Sequence, residues 1–454
     1  MLHIESPEIR KCLLQGKFGL EKEGLRVYED ATMAHTPHPF PNDNHITRDF
    51  SENQTEINTC AEPSAEGAVL ALEAYTRQIR KTISRYPRPE YIWPFSNPPF
   101  LAGEEDIPIA QFTGDLASKT SYREYLSGRY GRYKMTFSGI HVNYSFSEEL
   151  LRKEFSLRGQ GRSRSFRDSF YLELAEKAAA YGWLLVILTA ASPVLDISYF
   201  ERESLSSESR RFAAGGDCTA EKMSGRSLKG QDVFTGMASV RCSELGYWND
   251  FVPVFDYTNI QRYADGIRQY VDAGLLYSVS ELYFPVRLKS KGENRLDALK
   301  ETGVDHIELR MFDLNPLAPG GLDVRDVQFT QLFLIWLASL PRRNMSLADQ
   351  VLAVQNFKNA AHFDLRTVHI VMPEFREKPV KNALEAALYT MEMIRAFYRP
   401  LLPELPDWAE PVLRFENEKL KNPEKRYAAV VRDRFSGTFL EKGMAYAVQE
   451  TLKH

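Results

Sequence analysis

Only four cysteines occur in 454 residues, at Cys12, Cys60, Cys218 and Cys242, and no two of them form a CxxC pair. That scarcity argues against a disulfide framework or a thiolate zinc site and points to a reducing compartment, read here as the cytoplasm. Long apolar runs are missing too. The most apolar stretch, Trp183 to Ser192 (WLLVILTAAS), is far short of a membrane span and follows the charged Glu173, Glu176 and Lys177, so it reads as a buried helix. The opening MLHIESPEIRKCLLQGKFG has no apolar core of signal-peptide length. Basic blocks are absent and the net charge is -4 with the signs interleaved, which leaves no footprint for nucleic acid or a membrane surface. Neither a GxxxxGK[ST] loop nor a strand-linked GxGxxG occurs, and GQGR at Gly159 to Arg162 reads as a surface turn. Any nucleotide must be held in another way.

Apolar residues make up 43% of the chain and charged residues 26%, the composition of a globular protein with ample core. No internal repeat, low-complexity tract or interdomain linker breaks it. One large α+β domain over residues 1–454, helical from about 345 onward, is therefore expected.

In FGLEKEGLRV (Phe18 to Val27), read as a strand, Glu21 and Glu23 share a face with Leu25 and Val27. Two carboxylates on a half-buried face call for a counter-charge or for protons. ITRDFSENQTEINT (Ile46 to Thr59) reads as a turn or second strand carrying Asp49, Glu52 and Glu56. Ser64 caps a helix whose Val69, Leu72, Thr76, Ile79 and Ile83 recur at three- and four-residue steps, and Pro87 closes it. YREYLSGRYGRY reads as helix. In TFSGIHVNYSF, Ile140, Val142 and Tyr144 alternate with His141, Asn143 and Ser145 as in an amphipathic strand. A long helix is expected over Phe166 to Ala191. The glycine-rich Ser204 to Gly236 is expected to be a mobile loop and a lid. Glu281 to Ser290 and Asp305 to Pro319 read as strands, with His306, Glu308 and Arg310 on one face of the second. Val327 to Leu340 and the tail beyond Lys378 read as helix, the tail broken at Pro400, Pro403 and Pro406.

Three strands thus place polar residues at two-residue steps: Glu21 with Glu23, His141 with Asn143, and Glu308 with Arg310. Carboxylates with one imidazole suit Mg²⁺ or Mn²⁺, and Arg123, Arg241 and Arg310 supply the fixed positive charge that phosphate needs. On spacing alone, metal-dependent phosphoryl chemistry and a structural polar face both stand.

FGLEKEGLRV, ITRDFSENQTEINT, WPFSNPP, YREYLSGRYG, SGIHVNYSF, ASPVL, SVRCSELGY, ELYFPVR and IELRMFDLNPLAPGG occur in the order seen in bacterial glutamate-cysteine ligases. The chain resembles that family from about residue 8 to about residue 340, and looks most like the ligase half of fused glutathione-biosynthesis enzymes. No ATP-grasp half follows, so the resemblance is to a stand-alone first-step ligase. It implies a glutamine-synthetase-like fold, an antiparallel sheet curved into a funnel and backed by helices. It also implies ATP-dependent joining of the glutamate γ-carboxylate to the cysteine amine through γ-glutamyl phosphate, with Mg²⁺ or Mn²⁺.

Under the same resemblance Glu21, Glu23, Asp49, Glu56, His141 and Glu308 fall on metal positions. Arg310 and Arg123 fall where the transferring phosphoryl is steadied, and Arg241 where a substrate carboxylate is gripped. Phe50, Tyr122, Phe137, Asn143, Tyr247 and Tyr283 fall around the cysteine and glutamate pockets, and Glu52 reads as a solvated or supporting residue. The expected partners are glutamate, cysteine and ATP, with no nucleic acid and no membrane, in a monomer or a homodimer. The alternatives are a related ligase that joins glutamate to another amine, such as 2-aminobutyrate or a polyamine, and a catalytically dead homologue.

Overall fold

A computed structural model describes residues 2–158, 163–203, 231–246, 248–292, 295–342, 344–372 and 380–453. Its centre is a seven-stranded antiparallel sheet: β1 (Gly16–Tyr28), β2 (Ile46–Arg48), β3 (Gln54–Asn58), β4 (Glu90–Ile92), β5 (Ile140–Phe146), β8 (Val286–Lys289) and β9 (His306–Phe312). The order is β2-β3-β1-β5-β9-β8, with β4 paired to the last three residues of β1. Every pairing in this sheet is antiparallel. β1 forms the middle of the sheet: buried positions alternate up to Glu23 and every residue from Gly24 to Tyr28 is buried, and partner strands cover both of its edges.

The back of the sheet is helical. Leu20, Val142, Ile307 and Leu309 are buried there in one core with the Ala65–Ile83, Ser163–Tyr181 and Val324–Ser339 helices. Ser64 caps the first of these, its side chain accepting from the Gly67 amide as the sequence predicts. A second core lies at the far end of β1, where Leu25 and Val27 meet Phe50, Trp93, Phe95 and Phe137. The tail supplies part of its cover: the Phe439 ring lies 5.4 Å from Trp93 and 4.7 Å from Phe95. From Ala383 the tail runs through helices with a short turn at Leu402–Glu404 inside the proline-marked break, after a two-stranded pair of His369–Ile370 with Lys381–Asn382 that the helical reading did not include.

Two expectations need correction. The tract over Phe166 to Ala191 is two helices, Ser163–Tyr181 and Trp183–Thr189, joined at Gly182. A Cβ there would meet the Ala178 carbonyl oxygen at 2.6 Å and the Phe357 ring at 2.8 Å, so this close approach needs glycine. Of the expected lid, residues 204–230 lie outside the described residues, as does GQGR at 159–162. Its end is ordered structure: Asp232–Phe234 forms β7 and pairs with β6 (Val194–Asp196), because Val233 buries itself beside Leu195. Among the described residues no helix is long and apolar enough to cross a membrane.

Candidate active site

The face of the sheet opposite the helical core opens into a cavity of about 350 Å³, within the usual range for small-molecule sites. β1 supplies Glu21 and Glu23, β3 supplies Glu56, β5 supplies His141 and β9 supplies Glu308 and Arg310. The register explains how they meet. Glu21 pairs with His141, Glu23 with Glu56 and Asn143 with Glu308, so residues far apart in sequence become cross-strand neighbours.

His141 Nδ1 lies 3.0 Å from Glu21 Oε2 and 3.8 Å from Glu308 Oε1. Asn143 Nδ2 donates to Glu21 Oε1 at 2.9 Å, and the Gly139 amide donates to Glu23 Oε2 at 2.9 Å. Arg310 donates to Glu308 Oε1 at 3.1 Å, and Lys289 Nζ sits 3.3 Å from the same oxygen. Glu21, His141 and Glu308 each present one ligand atom within 4.8 Å of the others.

The electrostatics divide the cluster. Burial, with the Asp49 carboxylate next in weight, pushes Glu23 up to about 8 and Glu56 up to about 7. Burial opposes ionisation of Glu308 as well, but Arg310, Lys289 and Arg287 outweigh it and hold this carboxyl well below the usual range. Burial and the nearby Arg310 push His141 down to about 4, leaving a neutral imidazole with a free lone pair at neutral pH. Glu308 Oε2 and Asn143 Oδ1 are buried with no hydrogen-bond partner among the described residues. Oxygens without donors, carboxylates that hold protons for want of counter-charge and a neutral imidazole form a donor set that fits a hard divalent cation.

Cations surround this acidic patch. Arg123, on the Ser118–Tyr130 helix, donates to the carbonyls of Lys119 (2.9 Å), Arg48 (3.4 Å) and Asp49, and its guanidinium lies 4.7 Å from the Phe112 ring centre. Arg241 crosses the Gly139 backbone so closely that a Cβ there would fall 2.2 Å from its guanidinium carbon.

Asp49, Phe50, Tyr122 and Tyr283 also line the cavity, as the sequence reading expects. Two expected residues lie behind the lining: Asn143 reaches the site through its bond to Glu21, and Phe137 is fully buried, its ring 5.2 Å from that of Tyr199. Tyr247 lies outside the described residues. Glu52 accepts from the His38 and Gln111 amides and pairs with Arg48, a supporting place as expected. Arg48, Lys119, Arg287, Lys289, Trp248 and Cys242 line the cavity without having been singled out in the sequence. For Arg287 and Lys289 the signal is present, since they alternate with Val286 and Leu288.

The fold matches those of two solved proteins. The glutamate--cysteine ligase of Francisella tularensis, solved with AMP, superposes with a TM-score of 0.81 at 21% identity, over 97% of this chain and 89% of that one. The bifunctional glutathione synthetase of Pasteurella multocida gives 0.79 at 23% identity, over 98% of this chain and 53% of that one. In sequence, the bifunctional glutathione biosynthesis protein of Listeria welshimeri is 33% identical over 438 residues, 94% of this chain and 53% of its own length. The glutamate--cysteine ligase of Clostridium acetobutylicum is 33% identical over 369 residues, 73% of this chain and 74% of its own. The model of the glutamate-cysteine ligase family matches residues 1–360, and the chain belongs to that family. It spans about half the length of the bifunctional relatives it matches.

Proposed function

We propose that the cavity joins the γ-carboxylate of L-glutamate to the amine of L-cysteine, converting ATP to ADP and phosphate. The observation that carries this reading is the ring of Glu21, His141, Glu308 and Arg310 on one sheet face, with Glu23 and Glu56 beside it. Membership of the family and the names of its relatives support the choice of substrates.

Glu21, His141 and Glu308, with Glu23, Asp49 and Glu56 next to them, would hold Mg²⁺ or Mn²⁺. When bound, the ions supply positive charge against the ATP phosphates. Arg310, fixed by Glu308, and Arg123, fixed by three carbonyls, face the transferring phosphoryl group. A γ-carboxylate oxygen of glutamate attacks the terminal phosphorus, the bond to the ADP oxygen breaks, and γ-glutamyl phosphate forms. The neutral amine then attacks the acyl carbon, loses a proton and expels phosphate. Arg241 grips a substrate carboxylate, while Phe50, Tyr122 and Tyr283 wall the amine's side chain away from water. The sequence of steps requires no side-chain nucleophile. Among the described residues the one thiol lining the cavity, Cys242, is buried and pushed up to about 11, chiefly by burial.

The same reading takes residues 1–454 as one catalytic unit working in the cytoplasm on small molecules. The deciding experiment measures ADP release with glutamate and ATP fixed across a panel of amines. Cysteine is expected to give the highest kcat/KM. A clear preference for another amine would reassign the acceptor, and no glutamate-dependent release with any amine would overturn the reading.

A further inference from the structure

The cavity lining also holds aromatic side chains, and the two tyrosines among the described residues come from unrelated elements. Tyr122 sits on the Ser118–Tyr130 helix, and Tyr283 follows the short turn Val279–Glu281. One buried carboxylate joins the two elements. Glu281 is fully buried; its side chain accepts from the Tyr130 hydroxyl at 2.7 Å and from the Tyr277 amide at 2.5 Å, and it pairs with Arg129 at 3.1 Å. Arg129 and Tyr130 form the last turn of the helix that carries Tyr122. The Glu281 carbonyl accepts from Asn249 Nδ2 at 2.8 Å, and Asn249 Oδ1 accepts from the Tyr283 amide at 2.9 Å. The rings follow the same bridge: Tyr130 meets Tyr283 edge-on at 5.6 Å, and Tyr122 stacks on Tyr277 at 5.7 Å.

The cation on that helix is secured separately. Arg123 is tied to main-chain carbonyls of Arg48, Asp49 and Lys119, none of which touches Glu281. The structure therefore divides the helix between two anchors, one for the phosphate side and one for the aromatic wall. A buried carboxylate is retained only where its bonds are well made, and here three groups from two elements satisfy it.

We propose that Glu281 is a positioning residue that fixes the separation of Tyr122 and Tyr283 and so sets the fit of the acceptor amine's side chain, without touching the reacting atoms. This rests on the reading of the cavity as a glutamate-amine ligase.

The test compares Glu281→Ala with Glu281→Gln, which keeps the acceptor oxygen but removes the charge, and with Tyr130→Phe, which deletes one hydroxyl and stands in if the alanine variant does not fold. Positioning predicts that Glu281→Ala raises KM for cysteine about tenfold or more, changes kcat less than threefold and leaves KM for ATP unchanged; Tyr130→Phe moves KM the same way by less, and Glu281→Gln recovers most of the loss. A fall in active fraction and melting temperature with all three KM values unchanged would assign Glu281 to packing alone and overturn the proposal. If the wild-type protein shows no glutamate- and amine-dependent ADP release, the ligase reading fails. Hydrogen exchange then decides the positioning claim: Glu281→Ala should speed exchange in residues 122–130 and 277–283 with β1, β5 and β9 unaffected, and unaltered exchange there overturns it.

Discussion

Glu21 and His141 are register partners on adjacent strands, and their side chains close to 3.0 Å across the middle of the sheet. Because the ladder sets their spacing, replacing one side chain should leave the other in place. Glu21→Gln is expected to lower kcat/KM for ADP release by about 100-fold or more, some 3 kcal/mol of lost transition-state stabilisation. Its melting temperature without metal should stay near that of the wild type, and the rise on adding Mg²⁺ should shrink. Steady-state kinetics and thermal melts with and without Mg²⁺ check both halves.

Gly139 gives Arg241 its place. A methyl group at position 139 would collide with the guanidinium, which is the movable end of a flexible side chain, so the arginine is expected to swing away while the backbone holds. Gly139→Ala should raise KM for glutamate at least tenfold with little change in melting temperature. Arg241→Lys, which loses the planar fork, should show the same pattern, and unchanged KM in both would remove Arg241 from the glutamate site.

Phe137 sits in the second core, fully buried. Phe137→Ala is expected to cost about 3–5 kcal/mol of stability through the cavity it leaves. Phe137→Leu should cost less and keep KM for cysteine near the wild-type value, since the side chain does not line the cavity. Denaturant melts paired with kinetics separate packing from binding.

Lys22 lies on the reverse face of β1, fully buried, where it donates to the Gly320 carbonyl at 2.9 Å. Burial, with Arg80 beside it, lowers its amine to about 7 from 10.5. Between those two values the unfolded chain binds a proton that the folded chain does not, so folding gains stability as pH rises from 7 to 10. Lys22→Met removes the burial cost at the expense of that hydrogen bond. It should therefore stabilise by roughly 2 kcal/mol at pH 7, with the advantage fading towards pH 10. Melts of both proteins across this range read the difference directly.

The strands that build the site are legible in sequence because alternation is a local signal: Val142 and Tyr144, and Ile307 and Leu309, go to the helical core, while His141, Glu308 and Arg310 between or beside them line the cavity. Ser64 is legible for the same reason, since a cap and its helix lie within one turn. Arg287 and Lys289 alternate equally well, but basic residues at every second position are also what a water-facing strand carries, and only the pairing of Arg287 with Glu308 shows which face they occupy. Phe137 is tied to the pocket by the resemblance alone, and the structure buries it in the core beside the cavity. Glu281 leaves no trace in the string, because its partners Arg129 and Tyr130 are brought to it only by the tertiary fold.

β1 gives Phe18 and Leu20 to one core and Leu25 and Val27 to the other, with Glu21 and Glu23 between them. A molecule that has lost either core has therefore lost the frame of its carboxylates as well. Half-unfolded forms should be silent towards ATP rather than wasteful: nucleotide would not be hydrolysed without a peptide being made, and no activated glutamate would escape to cyclise or hydrolyse in solution. Sharing one strand between two cores makes turnover a property of the whole fold.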